Sequence, residues 1–411
     1  MRTPEVYWIW LQQALNVACK EVAYLLEFFT SAKVFYEEGP EGWRSLGCFS
    51  EKQLKALRET SLEKAEAVYH DAVSRGYTVI TPEQSRYPKS LRQLVDPPAV
   101  LYGKGELPDF DRVVAVAVVG TRTASPYGLK VAYDISADLC SAGVVIVSGG
   151  ALGVDISAHK GALSVDGVTV SVLGCGINYP YLMENAGIRA AISIKGAVLT
   201  EYPPSTPPLP HHFPIRNRLI SGLSQGTLVV EAAQKSGSLI TASRALEQGK
   251  DIFAIPGDIA AITSRGANEL IQSGAKAVLS AEDILEEYRT VYPGRIASPE
   301  TLQRDSVPHI DRRTYETAPK KEKKTPWKDV TATKEKKPSE VRPDREAAHK
   351  IEALSEKTAA FYKALSSRPQ HLDELTEAAG LTPAQALCAV TELELLGCLR
   401  TQSGKRYSRA E

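Results

Sequence analysis

The sequence predicts an α/β protein in which a doubly wound, mostly parallel sheet is preceded by an N-terminal helical module and followed by a C-terminal winged helix. Three observations predict it. Short β-branched runs between Val113 and about Thr290 are apolar throughout rather than alternating, which marks strands covered on both faces. Helix-like stretches separate most of these runs, the rhythm of parallel strands joined by crossover helices. Both flanks carry a helical periodicity of three to four residues instead.

Length and composition agree. With 411 residues the chain exceeds one ordinary domain, and 43% hydrophobic with 24% charged residues describes a globular protein with a sizeable core. Lys+Arg and Asp+Glu balance at 49 each, so any basic surface must be local. Cys19, Cys48, Cys140, Cys175, Cys388 and Cys398 are scattered, without C-x-x-C or zinc spacing, and read as reduced thiols of a cytoplasmic protein. The apolar start, MRTPEVYWIWLQQALNVACK, is broken by Gln, Asn and Lys, and reads as neither signal peptide nor membrane span.

Taken in order, residues 1–76 form the helical module, with EKQLKALRETSLEKAEAVYHDAVSRG alternating apolar and charged faces. Residues 77–290 form the α/β domain, whose strand-like runs are VVAVAVVG, VVIVSGG, VTVSVLG, AVLTE, TLVVEA and DIFAIPG. Residues 291–350 read as a basic flexible linker, since Lys320–Arg345 holds ten Lys/Arg, five Asp/Glu and three prolines and very little apolar surface. Residues 351–411 outline the winged helix: Leu372, Leu375 and Ala379 mark one helix, Gly380 ends it, Thr382-Pro383 opens the next, and Ser403-Gly404 turns a hairpin. The helix after the turn carries Gln385, Thr391, Glu392 and Glu394 but no Lys or Arg, which disfavours sequence-specific reading of duplex DNA.

Ligands of open α/β sheets sit outside the carboxyl ends of the strands, and there the sequence concentrates its unusual residues. The first strand ends in GTRTASPYG, with the hydroxyl of Thr121 and the forked cation of Arg122. The second ends in SGGALGVDISAH, where Ser148, Gly149, Gly150 and Gly153 bare backbone N–H groups at a helix start. Asp155 and His159 share one face of that helix, and a packed histidine is the ordinary reading of His159. The third ends in LGCGINYP, where Gly174 and Gly176 allow close approach, Asn178 offers an amide, and Tyr179 offers either a ring face for a base or, equally, a buried packing residue. A proline-stiffened loop then delivers Arg216, Asn217 and Arg218, and the fifth strand delivers Lys235, Ser236, Gly237 and Ser238 to another helix start. Loops of this kind converging on one edge suit an extended polyanion.

Absences narrow the chemistry. The chain has no G-x-x-x-x-G-K-[ST], no G-x-G-x-x-G, no nucleophile elbow and no metal-ligand cluster, so binding without catalysis and without a cofactor is expected.

Taken together, VVGTR, VSGGALGVDISAHKGAL, FPIRNRLISGLS, SGSLITA, DIFAIPG and GANELIQSGA resemble the DNA-processing protein A (DprA/Smf) family. The resemblance implies an extended Rossmann-like fold, a sterile-alpha-motif-like N-terminal module and a winged helix. It also implies single-stranded DNA as ligand, protection of that strand in natural transformation, loading of the RecA recombinase, and a homodimer through the Rossmann domain. By position, Arg122, the Ser148-Gly149-Gly150 turn and Arg216-Asn217-Arg218 match the family's DNA-contacting motifs. Leu152 stands where members usually carry Lys or Arg, with Lys160 as the candidate replacement, and Asn178 stands where an Asp is common. The competing expectation is a Rossmann nucleotide-binding enzyme of the phosphoribohydrolase type, which would need a Glu where the helix after the glycine turn offers only Asp155.

Overall fold

The computed structural model describes residues 2–297, 356–366, 370–395, 398–402 and 406–409. The chain divides into two compact units, Met1–Ile310 and Asp311–Glu411. Most of the expected basic linker and the hairpin turn at Ser403-Gly404 lie outside the described residues.

The first unit opens with α1 (Pro4–Leu15), α2 (Glu21–Phe28), α3 (Ala32–Ser45), α4 (Glu51–Glu59) and α5 (Leu62–Ser74). Serine starts three of these helices: Ser31, Ser50 and Ser61 each accept a first-turn amide, and Gln53 completes a capping box with Ser50. The chain continues through β1 (Thr78–Ile80), α6 (Lys89–Arg92), β2 (Leu101–Gly105), β3 (Ala115–Val119), α7 (Pro126–Ser141), β4 (Val145–Ser148), α8 (Val154–Ser164) and β5 (Thr169–Leu173). It closes with α9 (Ala186–Lys195), β6 (Ala197–Thr200), α10 (His212–Gly222), β7 (Gly226–Val229), α11 (Gly237–Glu247), β8 (Asp251–Ala254), α12 (Arg265–Gln272), β9 (Lys276–Ala277) and α13 (Glu282–Arg289).

These strands form one sheet of order β1-β2-β6-β5-β4-β3-β7-β8-β9. Every pairing from β6 to β9 is parallel, and the two edge pairings, β1 with β2 and β2 with β6, are antiparallel. The apolar run of β3 has the predicted cause: Ala115, Ala117 and Val119 belong to one core, while Val114, Val116 and Val118 belong to the core on the other face.

Close packing of α7 on α8 has a sequence signature, Gly153, Ser157 and Gly161 at four-residue spacing. A side chain at Gly161 would meet the Tyr133 carbonyl, Ser157 donates to the Leu129 carbonyl at 2.6 Å, and Val154 donates its N–H to the Thr121 carbonyl at 3.2 Å. The two helices therefore run side by side from the carboxyl edge of the sheet.

The helical module shares its core with the sheet edge. Trp10, Ile9, Leu11 and Phe35 pack together with Val79, Ala99, Val100 and Tyr102 from beyond residue 76. Polar contacts cross the same boundary: Gln12 donates to the Glu201 carbonyl at 2.9 Å, and Tyr102 donates to Gln12 at 3.2 Å. At the other end, Tyr292 and Ile296 still pack on the sheet and Ala297 donates its N–H to the Ala142 carbonyl at 2.9 Å. The fold therefore continues through residue 297, beyond the expected start of the linker at 291.

In the second unit, helices Glu356–Ala364, Leu372–Ala378 and Pro383–Leu395 accompany strands Gln370–His371, Leu399–Gln402 and Arg406–Arg409, with Arg406–Arg409 in the middle of the sheet. Phe361, Leu375 and Leu393 form its core, and Gly380 ends the second helix with φ +65°. This is the winged-helix order predicted.

Candidate functional site

From β3 the chain winds outward through β4, β5 and β6, then crosses back to lay β7 on the other side of β3. The strand order reverses there, so the loops after β3 and β7 diverge and leave a crevice at the carboxyl edge. A cleft of about 380 Å³ occupies this place. Thr121 and Arg122 line it from the β3 loop, Ala151 and Asp155 from the β4–α8 turn, Phe213, Arg216 and Asn217 from α10, and Ser236 to Ser238 from the start of α11.

Arg216 is its floor. Although only 5% exposed, its guanidinium is held by carbonyls rather than a carboxylate: Nη1 donates to the carbonyl oxygen of Gly149 at 2.9 Å and to that of Val172. Its Nε has no acceptor. Burial lowers its pKa, and the neighbouring Asp155 carboxyl pulls the other way. Asp155 is itself raised by burial, with Arg216 opposing. Gly149 is the price of this arrangement, since a Cβ there would lie 2.5 Å from Arg216 Nη1 and 2.7 Å from Asp155 Oδ2.

Arg122 is exposed, and its Cζ lies 5.3 Å from the Phe213 ring centroid; Arg216 Cζ lies 6.0 Å from the same centroid. The ring is thus flanked by two cations. Opposite, Ser236 caps α11 by accepting from the Ser238 N–H at 3.4 Å, the two hydroxyls lie 2.7 Å apart, and Asn217 braces the turn by donating to the Gly237 carbonyl at 3.3 Å. Lys235 is exposed just before this turn. Two guanidiniums and a helix start therefore face one carboxylate, a balance that favours an anion.

The structure brings Thr121, Arg122, Arg216, Asn217, Ser236, Gly237 and Ser238 together on this cleft. Other expected residues lie elsewhere. The Ser148 hydroxyl is fully buried and donates to the Val118 carbonyl at 2.6 Å, while Gly150 (φ +67°) accepts from Asn185 through its carbonyl at 3.2 Å. Gly153 has φ +77° and sits against the Thr121 carbonyl, where only glycine fits. Asp155 turns its carboxylate back to the Ala151 N–H at 3.4 Å, so the glycine turn is already occupied in part by an anion of the protein's own. Gly174 abuts the Phe213 ring, Gly176 donates to the Thr206 carbonyl at 3.0 Å, and Asn178 ties itself to Ser205 through both ends of its amide, at 2.9 and 2.6 Å. Lys160 is exposed on α8 outside the cleft.

Arg218 corrects the sequence reading. Its guanidinium points away from the cleft, donating through Nη2 to both oxygens of Glu201 at 2.9 and 2.7 Å, with Nε 3.2 Å from Asp96. Residues two apart on a helix face about 200° apart, so Arg216 and Arg218 cannot address one ligand. For Tyr179 the packing alternative holds: half-buried, it sits against the core of Leu173, Cys175, Ile192 and Val198. The cleft's ring is instead Phe213, whose signal in the sequence was an aromatic residue directly before the PIRNR stretch. His159 is fully buried with Nδ1 2.7 Å from the Thr169 hydroxyl, as expected of a packed histidine. Glu231, missed in the sequence, is buried at the end of β7 and accepts from the Ser125 N–H and hydroxyl, fixing the start of α7. All six cysteines are free. Among the described residues no helix is long and apolar enough to cross a membrane, and no group of three His, Cys, Asp or Glu could hold a metal.

Comparisons with known proteins give the family and the fold. Residues 78–289 match the family model of the DNA recombination-mediator protein A, and residues 345–405 match the DprA winged helix domain. The chain is 41% identical over 226 residues to DNA processing protein DprA of Bacillus subtilis (strain 168), spanning 55% of this chain and 75% of that protein. It is 44% identical over 209 residues to protein Smf of Escherichia coli (strain K12), spanning 51% of this chain and 56% of that one. The X-ray structure of DNA processing protein A from Streptococcus pneumoniae superposes with a TM-score of 0.60 at 32% identity, covering 70% of this chain and 99% of that one. A cleft at the switch point of the sheet, a winged helix after it and matched motifs across the whole α/β core together place this chain in the DNA recombination-mediator protein A family, the DNA processing proteins DprA and Smf.

Proposed function

We propose that the cleft binds single-stranded DNA, that the protein shields the strand and loads the RecA recombinase onto it during natural transformation, and that it does so in the cytoplasm without catalysis or a cofactor. The observation that carries the reading is the Phe213 ring between the Arg122 and Arg216 guanidiniums. A ring face with cations beside it suits an unstacked base next to its phosphates, which a single strand offers and a duplex does not. Thr121, Ser236, Gly237 and Ser238 supply further donors to the backbone. Behind the cleft, Gly149 lies against Arg216 and Asp155, Gly174 against Phe213, and Gly153 against the carbonyls of Thr121 and Arg122. The protein acts as a homodimer through the α/β domain, for which exposed Ile259 and Ile262 after β8 and exposed Leu279 after β9 offer an apolar edge on adjacent loops.

Fluorescence anisotropy of a labelled single strand and of its duplex, over a salt series, tests the reading on wild type and Arg122→Ala. Tighter single-strand binding is expected, with the slope of log K against log salt falling by about 0.7 when Arg122 is lost. Equal binding of single strand and duplex, or an unchanged Arg122→Ala variant, would overturn it. RecA loading is read separately, by strand exchange on DNA precoated with a single-strand-binding protein.

A further inference from the structure

The cleft does not end the surface available to a strand. Ala151 lines it, and the next residue, Leu152, is 38% exposed at the rim before α8 begins. From there the solvent face of the α7–α8 pair continues with Leu129 at 37% and Tyr133 at 38% exposure on α7, and with exposed Lys160 on α8. Lys130, also on α7, is held by Asp134 at 2.6 Å, whereas Lys160 has neither ion pair nor hydrogen bond among the described residues. The ridge is rigid, because the Ser157–Leu129 hydrogen bond at 2.6 Å and the close approach at Gly161 lock the two helices together. Lys160 lies seven residues beyond Gly153, about 10 Å along the helix, with its side chain leaning back toward the cleft.

We propose that this face, Leu129, Tyr133, Leu152 and Lys160, carries the single strand onward from the cleft, Tyr133 meeting a base and Lys160 a phosphate. The inference rests on the single-strand reading of the cleft. Two observations select this occupant: Leu152 directly follows cleft-lining Ala151 at the start of the packed α7–α8 pair, and that pair carries an exposed ring and aliphatic surface together with an unneutralised cation. Unstacked bases and phosphates together require that mixture. The partial exposure of each apolar residue and the ammonium among them fit a second copy of the chain poorly. Leu152 then replaces a cation with apolar contact, and Lys160 returns the charge farther along.

Full-length protein is titrated with labelled oligothymidylates of four and twenty nucleotides and with a duplex, comparing wild type, Tyr133→Ala, Lys160→Ala, Lys160→Arg and Arg122→Ala. Four nucleotides is about the smallest single-strand site, enough for the cleft alone. Expected is a loss of about fivefold or more for the twenty-mer with Tyr133→Ala and Lys160→Ala, a salt slope lowered by about 0.7 for Lys160→Ala, little change for Lys160→Arg, and unchanged binding of the four-mer. These residues are exposed, so matched circular dichroism is expected throughout. Wild-type and Arg122-dependent binding with neutral Tyr133 and Lys160 variants overturns this proposal alone. Losses confined to the duplex also overturn it. Failure of wild type to bind the twenty-mer, or indifference to Arg122, overturns the reading of the cleft and this extension with it.

Discussion

Arg216 and Arg218 stand two positions apart on α10 and are turned to opposite purposes: backbone carbonyls hold the first at the floor of the cleft, and the carboxylates of Glu201 and Asp96 hold the second inside the protein. Both are almost fully buried. Only the first lines the cleft.

Replacing Arg218 therefore tests folding rather than binding. Arg218→Met leaves the Glu201 carboxylate buried without its partner, and a loss of about 3–5 kcal/mol is expected in urea unfolding. Adding Glu201→Gln should recover part of it. Single-strand affinity per folded molecule should stay within about twofold, well under the tenfold that 1.4 kcal/mol would represent.

Arg216 behaves differently. Arg216→Met strips the buried Gly149 and Val172 carbonyls of their donor and Asp155 of its neighbouring cation, so a loss of about 1–3 kcal/mol is expected, while single-strand affinity per folded molecule falls at least tenfold. Anisotropy and thermal unfolding on one preparation separate the two effects.

Gly149→Ala should damage both. Its methyl group would lie within 2.7 Å of the Arg216 guanidinium and the Asp155 carboxylate, so one of them must move. A lower melting temperature and weaker binding are expected together, and a variant that melts and binds like wild type would contradict the packing described at the turn.

His159 sets an acid sensitivity. Burial pushes its pKa from 6.5 down to about 3, so the folded state favours the neutral ring. Its contribution to stability is whole above the unfolded value of 6.5 and is lost as pH falls toward 3, at about 1.4 kcal/mol per pH unit. His159→Asn should flatten the fall of melting temperature between pH 6.5 and 4 relative to wild type.

Much of this was legible in the sequence, for identifiable reasons. Strands buried on both faces need not alternate, so β3 and β4 announced themselves as apolar runs, while β5 places buried Thr169 and Ser171 among its valines, and each helix-starting serine left its mark one residue ahead. The loops that carry the cleft were found because glycine, hydroxyl and arginine cluster after those runs. What stayed hidden depended on direction and distance: Arg218 looks identical to Arg216 until helical rotation separates them, and the sequence leaves Tyr179 open between ring face and packing residue and Asp155 open between ligand site and loop brace, each settled only when neighbouring elements are in place. Phe213 was overlooked because an aromatic residue in a proline-rich loop is equally suited to filling a core.

The shared core beneath α1 has a practical consequence. The match to the family model begins at residue 78, but Tyr102, Ala99 and Val100 are covered by helices that precede that point, and Gln12 satisfies a buried carbonyl of Glu201. A fragment cut at that margin would bare an oily, polar-starved flank of the sheet beside its open edge strand β1, and would sooner stick to its neighbours than stand alone. The unit that folds is larger than the segment the family model matches.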